Sequence, residues 1–313
     1  MPALHANIGP LFTGRPKIRP PIVRNIMTDY PRIHAQAQTL PGSEADLVPA
    51  AEMIRDGYRG AGKMENKIAL ITGGDSGIGR SVAIHFAREG ADTAVVYLSE
   101  REDAEETQRR VEAEGRRCHL IEGDLADADF CRACVAETID TLGGLNCLVN
   151  NAGTQWVRED LTELPDDQWR DTFATNMHSQ FYLAKAALPH LGVGDTIINN
   201  ASVNAYVGPD FLVDYSATKG AIVSFTRSLS NQVVGRGVRV NAVAPGPVWT
   251  PLQPATLGAH DPEWLEGFGE DTPMGRAGQP SELGPVFVFL ACADSSFISG
   301  QTIHPNGGTV VNG

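Results

Sequence analysis

The chain has 313 residues, 42% of them hydrophobic and 20% charged, which is enough apolar material for a substantial buried core in a soluble globular protein. A formal net charge of −13 disfavours nucleic acid and anionic membrane surfaces as partners. No apolar run reaches the roughly 18 residues of a membrane span, and the start lacks the charged and then apolar regions of a signal peptide, so a cytoplasmic location is expected.

Residues 1–65 differ in texture from the rest. Eight of the twenty prolines lie between Pro2 and Pro49, and Arg15, Lys17, Arg19, Arg24 and Arg32 make residues 1–40 basic within an acidic protein. Prolines at this density interrupt helices and cannot donate to a sheet ladder, so an extended arm is expected over 1–65. Leu11, Phe12, Ile18, Ile22, Val23, Ile26 and Tyr30 give it apolar anchors. They favour docking on its own or a neighbouring subunit over a freely solvated tail.

From Lys67 the pattern alternates strand and helix, which points to an α/β fold: a doubly wound, Rossmann-type parallel sheet in a single domain over 66–313. An apolar strand over 68–72 runs into Gly73-Gly-Asp75-Ser76-Gly77-Ile78-Gly79, and residues 78–90 carry Ile78, Val82 and Phe86 on one helical stripe. Strand, glycine turn and helix form the setting of a dinucleotide-binding loop. Glycines at 73, 77 and 79 let the backbone turn tightly and approach a pyrophosphate at a helix start. The spacing is G-x-x-x-G-x-G, distinct from the G-x-G-x-x-G of longer-chain dehydrogenases, and a simple tight turn has the same pattern.

The second strand, over 93–98, ends in Tyr97-Leu98-Ser99 with Glu100 and Arg101 beyond it. Many NAD sites place an acid there and NADP sites a cation, so neither preference is spelled out. Residues 100–115 read as a charged helix with a solvated outer face. The third strand, over 119–124, brings Asp124 and Leu125 to the sheet's carboxyl edge, near an adenine site. The fourth, over 145–149, runs into Asn150-Asn151-Ala152-Gly153, where amides steady a turn and a glycine admits a ligand. Cys131 and Cys134 have C-x-x-C spacing but no second ligand pair, so all five cysteines read as buried or half-buried free thiols and no metal site is expected.

A fifth strand, over 196–201, leads to Ser202. Thirteen positions later, Tyr215-Ser-Ala-Thr-Lys219 puts a phenol and an ammonium one helical turn apart on the same face. A fixed positive charge beside a phenol favours its ionised form, and lowering its pKa from about 10 toward 7 makes a usable acid and base. Taken alone, Y-x-x-x-K also fits an amphipathic surface pair.

These marks occur together and in order: T-G-x-x-x-G-x-G over 72–79, Asp124, N-N-A-G over 150–153, Asn176 in T-N-M, Ser202, Tyr215 and Lys219, and P-G-P-V-W-T over 245–250. From about 67 to 308 the chain resembles the short-chain dehydrogenase/reductase family. G-Y-R-G-A-G-K-M before the first strand and T-P-M-G-R-A-G-Q-P near the end resemble a bacterial branch with a proline-rich amino-terminal extension, which includes general-stress and glucose/ribitol-dehydrogenase-like proteins.

The resemblance implies an NAD(P)(H)-dependent oxidoreductase that interconverts an alcohol and a carbonyl. Tyr215 is then the general acid and base, Lys219 lowers its pKa and bonds the nicotinamide ribose, Ser202 holds the carbonyl oxygen, and Asn176 binds a water that links Lys219 to solvent. The cofactor is expected on Gly73, Asp75, Ser76, Gly77, Ile78 and Gly79, on Tyr97, Leu98, Asp124 and Leu125 at the adenosine end, and on Asn151, Ala152 and Gly153. Pro245, Gly246, Val248 and Thr250 complete the set beside the nicotinamide, with Tyr215 and Lys219.

Residues 251–276, rich in Gly and Pro, read either as a lid over substrate or as a rigid insertion between subunits. Gln155, Trp156, Val203, Asn204, Phe211, Trp249 and Leu252 are expected to line a pocket for a small aldehyde, ketone, sugar or polyol. Helices over 169–190 and 215–234 imply a homodimer or homotetramer, with Ala221, Phe225 and Leu229 as a contact stripe, and His304 is assigned to structure. Two other readings stand beside the enzyme. One is a catalytically silent dinucleotide-binding sensor or scaffold, which the complete Ser, Tyr, Lys and Asn set argues against. The other is an epimerase or dehydratase of the extended branch, for which a different glycine spacing is expected.

Overall fold

The structure is a computed structural model and describes residues 30–311. Arg15, Lys17, Arg19, Arg24 and the apolar anchors from Leu11 to Ile26 lie outside the described residues. Strands β1 (Ile68–Thr72), β2 (Asp92–Tyr97), β3 (Cys118–Glu122), β4 (Cys147–Asn150), β5 (Thr196–Asn200), β6 (Arg239–Val243) and β7 (Thr302–Ile303) alternate with helices. They form one sheet in the order β3-β2-β1-β4-β5-β6-β7, and every pairing is parallel. A parallel sheet is covered on both faces, so its strands bury successive residues: all six of β2 and all five of β6 are buried, the polar Thr93 and Asn241 among them.

The helices are α1 (Gly77–Arg88), α2 (Arg101–Ala113), α3 (Ala128–Leu142), α4 (Asp166–Phe173), α5 (Ser179–Ala187), α6 (Asn204–Val207), α7 (Val213–Val233), α8 (Leu252–His260) and α9 (Pro280–Ala291). One face of the sheet is closed by α1, α2 and α9 through Val82, Phe86, Val111 and Phe287, and the other by α3, α5 and α7 through Val135, Leu183 and Leu229. Gly284 lets α9 come against α1, since a Cβ there would stand 2.2 Å from His85 Nδ1.

Three expectations are corrected by packing. The charged helix α2 is not simply solvated: Asp103, Thr107 and Val111 face inward at four-residue spacing, and the Asp103 carboxylate meets the buried Arg80 guanidinium at 2.8 Å. Within the stripe of Ala221, Phe225 and Leu229, Leu229 is buried in the protein's own core and Phe225 packs against the same cluster. The expected loop over 251–276 begins with a regular helix, α8.

The compact unit begins at Arg32. No helix or strand is formed among the described residues ahead of β1, yet this segment is tightly held. Ile33 and Leu47 are buried in one cluster with Tyr215, Trp249, Leu257 and Leu265. The Ser281 amide donates to the Glu52 carbonyl at 2.8 Å, and Glu89 accepts from the Tyr58 hydroxyl at 2.5 Å and from the Ala61 amide at 2.8 Å. Arg32 pairs with Glu270 at 2.7 Å beyond α8. All five cysteines are buried and free, and burial pushes Cys131 and Cys134 up to about 12, which leaves both thiols inert at neutral pH. No helix among the described residues is long and apolar enough to cross a membrane.

Candidate functional site

In the strand order, β1 lies between β2 and β4, where the direction of winding reverses and the loops leaving the carboxyl edge diverge to opposite faces. The loop after β1 turns at Gly73 and Gly77, whose φ angles of +58° and +50° strain any residue with a Cβ. Gly79 has a different job: a Cβ there would stand 1.9 Å from the Gly73 carbonyl oxygen, so its bare backbone lets α1 start hard against the strand. It stands just behind the lining of the cavity described below.

The loop after β4 is stitched to the first one. Thr72 Oγ1 accepts from the Asn151 and Ala152 amides at 2.9 and 3.0 Å, and the Asn151 side chain donates to the Thr72 and Gly73 carbonyls at 3.0 and 2.9 Å. Those polar pairings hold two irregular loops in fixed register without a helix or strand to do it.

Ser202 follows β5, and Tyr215 and Lys219 stand one turn apart on α7, all three buried. Lys219 Nζ donates to the Asn200 carbonyl at 2.9 Å and lies 5.3 Å from the centre of the Tyr215 ring. Burial pushes the Tyr215 phenol up to about 12, against a hydrogen bond with Ser202 that pulls it down. Burial also holds Lys219 down at about 7. Burial thus opposes charge on both side chains, and the Ser202 hydroxyl favours the phenolate against it.

Asn176 sits in a π-helical turn, Ala174–His178, between α4 and α5, where the Ser179 amide reaches back to the Ala174 carbonyl. Such a turn widens the backbone at one place in a long helix. The Asn176 side chain donates to the Thr154 carbonyl at 2.9 Å and to Thr218 Oγ1 at 3.2 Å, and accepts from the Thr154 amide at 2.8 Å. Its polar atoms tie the loop after Gly153 to α7. It lies behind the wall of the cavity, not on it.

These elements surround a cavity of about 430 Å³. Gly73, Asp75, Ser76, Gly77 and Ile78 form its floor, Tyr97, Leu98, Asp124 and Leu125 one end, and Asn151, Ala152 and Gly153 a side. Ser202, Tyr215 and Lys219 lie toward the other end with Pro245, Gly246, Val248 and Thr250. Burial pushes Asp75 up to about 6. Of the seven expected pocket residues, Trp156 and Leu252 line this cavity. Trp249 is instead fully buried with its indole N–H donating to the Pro49 carbonyl at 2.7 Å, Gln155 is buried with its amide donating to Thr256 Oγ1, and Phe211 packs edge-on against Trp264. Val203 and Asn204 stand at the start of α6. Sequence reasoning missed Leu40 and Pro41, which also line the cavity. Nothing local marks them, because they lie far ahead of the glycine loop in the chain.

A family model described as enoyl-(acyl carrier protein) reductase matches residues 73–310. General stress protein 39 of Bacillus subtilis is 51% identical over 287 residues, covering 91% of this chain and 99% of that protein. The solved structure of a short-chain dehydrogenase from Burkholderia cenocepacia, in complex with NADP, aligns with a TM-score of 0.74 at 31% identity, covering 79% of this chain and 98% of that one. The chain belongs to the short-chain dehydrogenase/reductase family. Another relative in this family of oxidoreductases, the glucose and ribitol dehydrogenase of Daucus carota, is 44% identical over 282 residues, covering 88% of this chain and 96% of its own. The doubly wound sheet and the glycine loop at its winding reversal are thus those of a short-chain dehydrogenase/reductase.

Proposed function

We propose that the cavity binds NAD(P)(H) and that the protein interconverts an alcohol and a carbonyl in a small aldehyde, ketone, sugar or polyol. The observation that carries this is the meeting of two constellations in one cavity. A glycine loop leading into the start of α1 forms the floor, and a buried Ser202, Tyr215 and Lys219 cluster stands toward one end.

The residues fit a dinucleotide. Gly73 packs against Ala152 and Gly77 against Thr250 with no room for a Cβ, which keeps the turn tight beside the start of α1, where the backbone amides that Glu44 does not take favour an anion. Thr250 and Val248 stand across from the loop at the end that holds Tyr215. A bound nicotinamide supplies or accepts hydride, chemistry that belongs to the cofactor.

The chain's own residues handle the proton and the alignment. Ser202, whose hydroxyl oxygen accepts from the Asn204 amide at 3.1 Å, favours the phenolate of Tyr215 and holds a substrate oxygen beside it. Tyr215 gives its proton to that oxygen in carbonyl reduction and takes it back in alcohol oxidation. Lys219, seated by the Asn200 carbonyl, holds the ribose hydroxyls and stabilises the phenolate once it is charged. Asn176 fixes the loop after Gly153 against α7, so the nicotinamide wall and the acid/base residue keep their separation. A homodimer or homotetramer is supported by Trp169 and Phe181, apolar side chains that α4 and α5 leave exposed.

The test titrates NADH and NADPH separately by fluorescence and then screens sugars, polyols, aldehydes and ketones with the tighter binder. Saturable binding and turnover in one of these classes is expected. Tight binding with no turnover across the screen would favour the silent sensor.

A further inference from the structure

The glycine loop is held from outside by the segment that precedes β1. Gly77 is the first residue of α1, and its amide is one of the donors that a helix start leaves without an internal partner. Ser76, at the position that commonly caps such a donor, makes no side-chain capping bond. The Glu44 carboxylate does this from 33 residues upstream, accepting from the Gly77 amide at 2.6 Å.

Glu44 is itself anchored. Its own amide donates to Asp103 Oδ2 at 2.9 Å, Asp103 Oδ1 accepts from Arg80 at 2.8 Å, and Arg80 Nε donates to the Asp75 carbonyl at 2.8 Å. The circuit grips the glycine loop at two places, the Asp75 carbonyl and the Gly77 amide. The turn that carries Glu44 is equally fixed on its other side. Ser43 and Gln38 bond each other reciprocally at 2.7 and 3.2 Å, and the Gln38 amide donates to the Pro254 carbonyl at 2.9 Å. Gly42, with φ of +88°, lies so close to Pro251 that a Cβ would stand 2.8 Å from its carbonyl oxygen. Between these anchors, Leu40 and Pro41 face the cavity.

We propose that residues 40–44 are a working part of the dinucleotide site, with Leu40 and Pro41 as a wall against the bound cofactor and Glu44 as the positioning residue that presents the glycine loop to the pyrophosphate. This rests on the reading of the cavity as a dinucleotide site. The turn spans from the glycine loop to the start of α8, so it joins the part of the cavity that meets phosphates to the part that covers the Tyr215 end. One oxygen of Glu44, Oε1, is buried without a partner. The bond to Gly77 is therefore the purpose of the side chain, and an amide oxygen in its place serves equally well.

The experiment uses the full chain and NADH and NADPH as probes, with Kd, dissociation rate, cofactor KM and kcat measured for wild type, Glu44→Ala, Glu44→Gln and Leu40→Gly, beside the thermal midpoint without cofactor. Glu44→Ala is expected to weaken binding of the preferred dinucleotide by about tenfold or more, the effect of leaving a buried donor without its acceptor, with cofactor KM rising in step and kcat within about threefold. Glu44→Gln restores Kd to within about threefold of wild type. Leu40→Gly, a change at the cavity wall, speeds dissociation several-fold at an unchanged thermal midpoint, and this arm stands even where Glu44→Ala does not fold. Folded Glu44→Ala with wild-type Kd, Glu44→Gln as weak as Glu44→Ala, or an unchanged dissociation rate in Leu40→Gly overturns the proposal. A wild-type protein that binds neither dinucleotide overturns the reading of the cavity itself, a different and separately visible result.

Discussion

Lys219 Nζ is bonded to the Asn200 carbonyl at 2.9 Å and stands 5.3 Å from the Tyr215 ring centre, so the end of β5, and not the phenol, seats the ammonium. The two side chains are neighbours on one face of α7 whose charges are both suppressed by burial. Charge develops on them when a proton moves, which suits a pair that acts in a transition state more than one that is ionised at rest.

For Tyr215→Phe, turnover is expected to fall by at least about a hundredfold, the usual scale of a lost general acid. Dinucleotide Kd should stay within about threefold, because the ring remains and only the hydroxyl is removed. Steady-state rates beside a fluorescence titration check both, and a mutant that turns over at the wild-type rate would falsify the acid/base assignment.

Lys219 carries a stability cost that depends on pH. Its folded value of about 7 lies below the ordinary value of 10.5, so the cost is fully present below about pH 7 and is relieved as pH rises toward 10.5. Lys219→Met should therefore melt higher than wild type at pH 6.5, with a margin that shrinks toward pH 10, while turnover is lost. Thermal midpoints across that range decide the matter. A mutant that melts lower at pH 6.5 would mean that the bond to Asn200 outweighs desolvation.

Glu44 titrates in the opposite sense. Burial, with Asp103 and Asp75 nearby, pushes its carboxyl up from 4.5 to about 7, although Arg80 and the Gly77 amide pull it down. The folded state then favours the neutral form, so stability falls as pH rises from about 4.5 to about 7 and is level above that. Glu44→Gln should gain on wild type between pH 5 and 7.5, approaching about 3 kcal/mol, read as several degrees in thermal midpoint. A gap that stays constant with pH would place Glu44 in a solvated setting.

The cavity's charges bear on the choice of cofactor. Asp75, Glu100 and Asp124 are the carboxylates on its lining, and among the described lining residues Lys219 is the single cation. Arg101, beside Glu100, is engaged by Glu122. A 2′-phosphate at the Tyr97 end would meet like charge, so NADH should bind about tenfold or more tighter than NADPH at low salt, with a smaller gap in Glu100→Gln. NADPH binding tighter, and losing its advantage in Arg101→Ala, would show that Arg101 leaves Glu122 for the phosphate.

Much of this was legible in the chain because it is local. The apolar strand over 68–72, the glycine run behind it and the four-residue step from Tyr215 to Lys219 each state a conformation within a few residues, and the strands expected from 68 to 201 match those observed to within about two residues, whereas the helix expected over 169–190 is split into α4, a π-helical turn and α5. Trp249 shows the limit. Its place beside Thr250 suggested a pocket wall, but the indole was needed to fill the core and to satisfy the Pro49 carbonyl, a partner two hundred residues away in sequence. The charged stretch over 100–115 likewise gave no sign that Asp103 would turn inward, since the guanidinium that draws it in belongs to another helix.

What the order of residues determined by itself is the identity of the parts: a parallel sheet, a glycine loop after the first strand, and a phenol and an amine on one helical face. Backbone sterics and side-chain periodicity act over a turn or a strand, and they need no knowledge of the rest of the molecule. Only the tertiary structure decided which distant side chain would complete each part. Glu44 meets Gly77, and Leu40 joins the cavity wall, because a buried donor must find an acceptor and a compact body supplies whichever one its packing brings near.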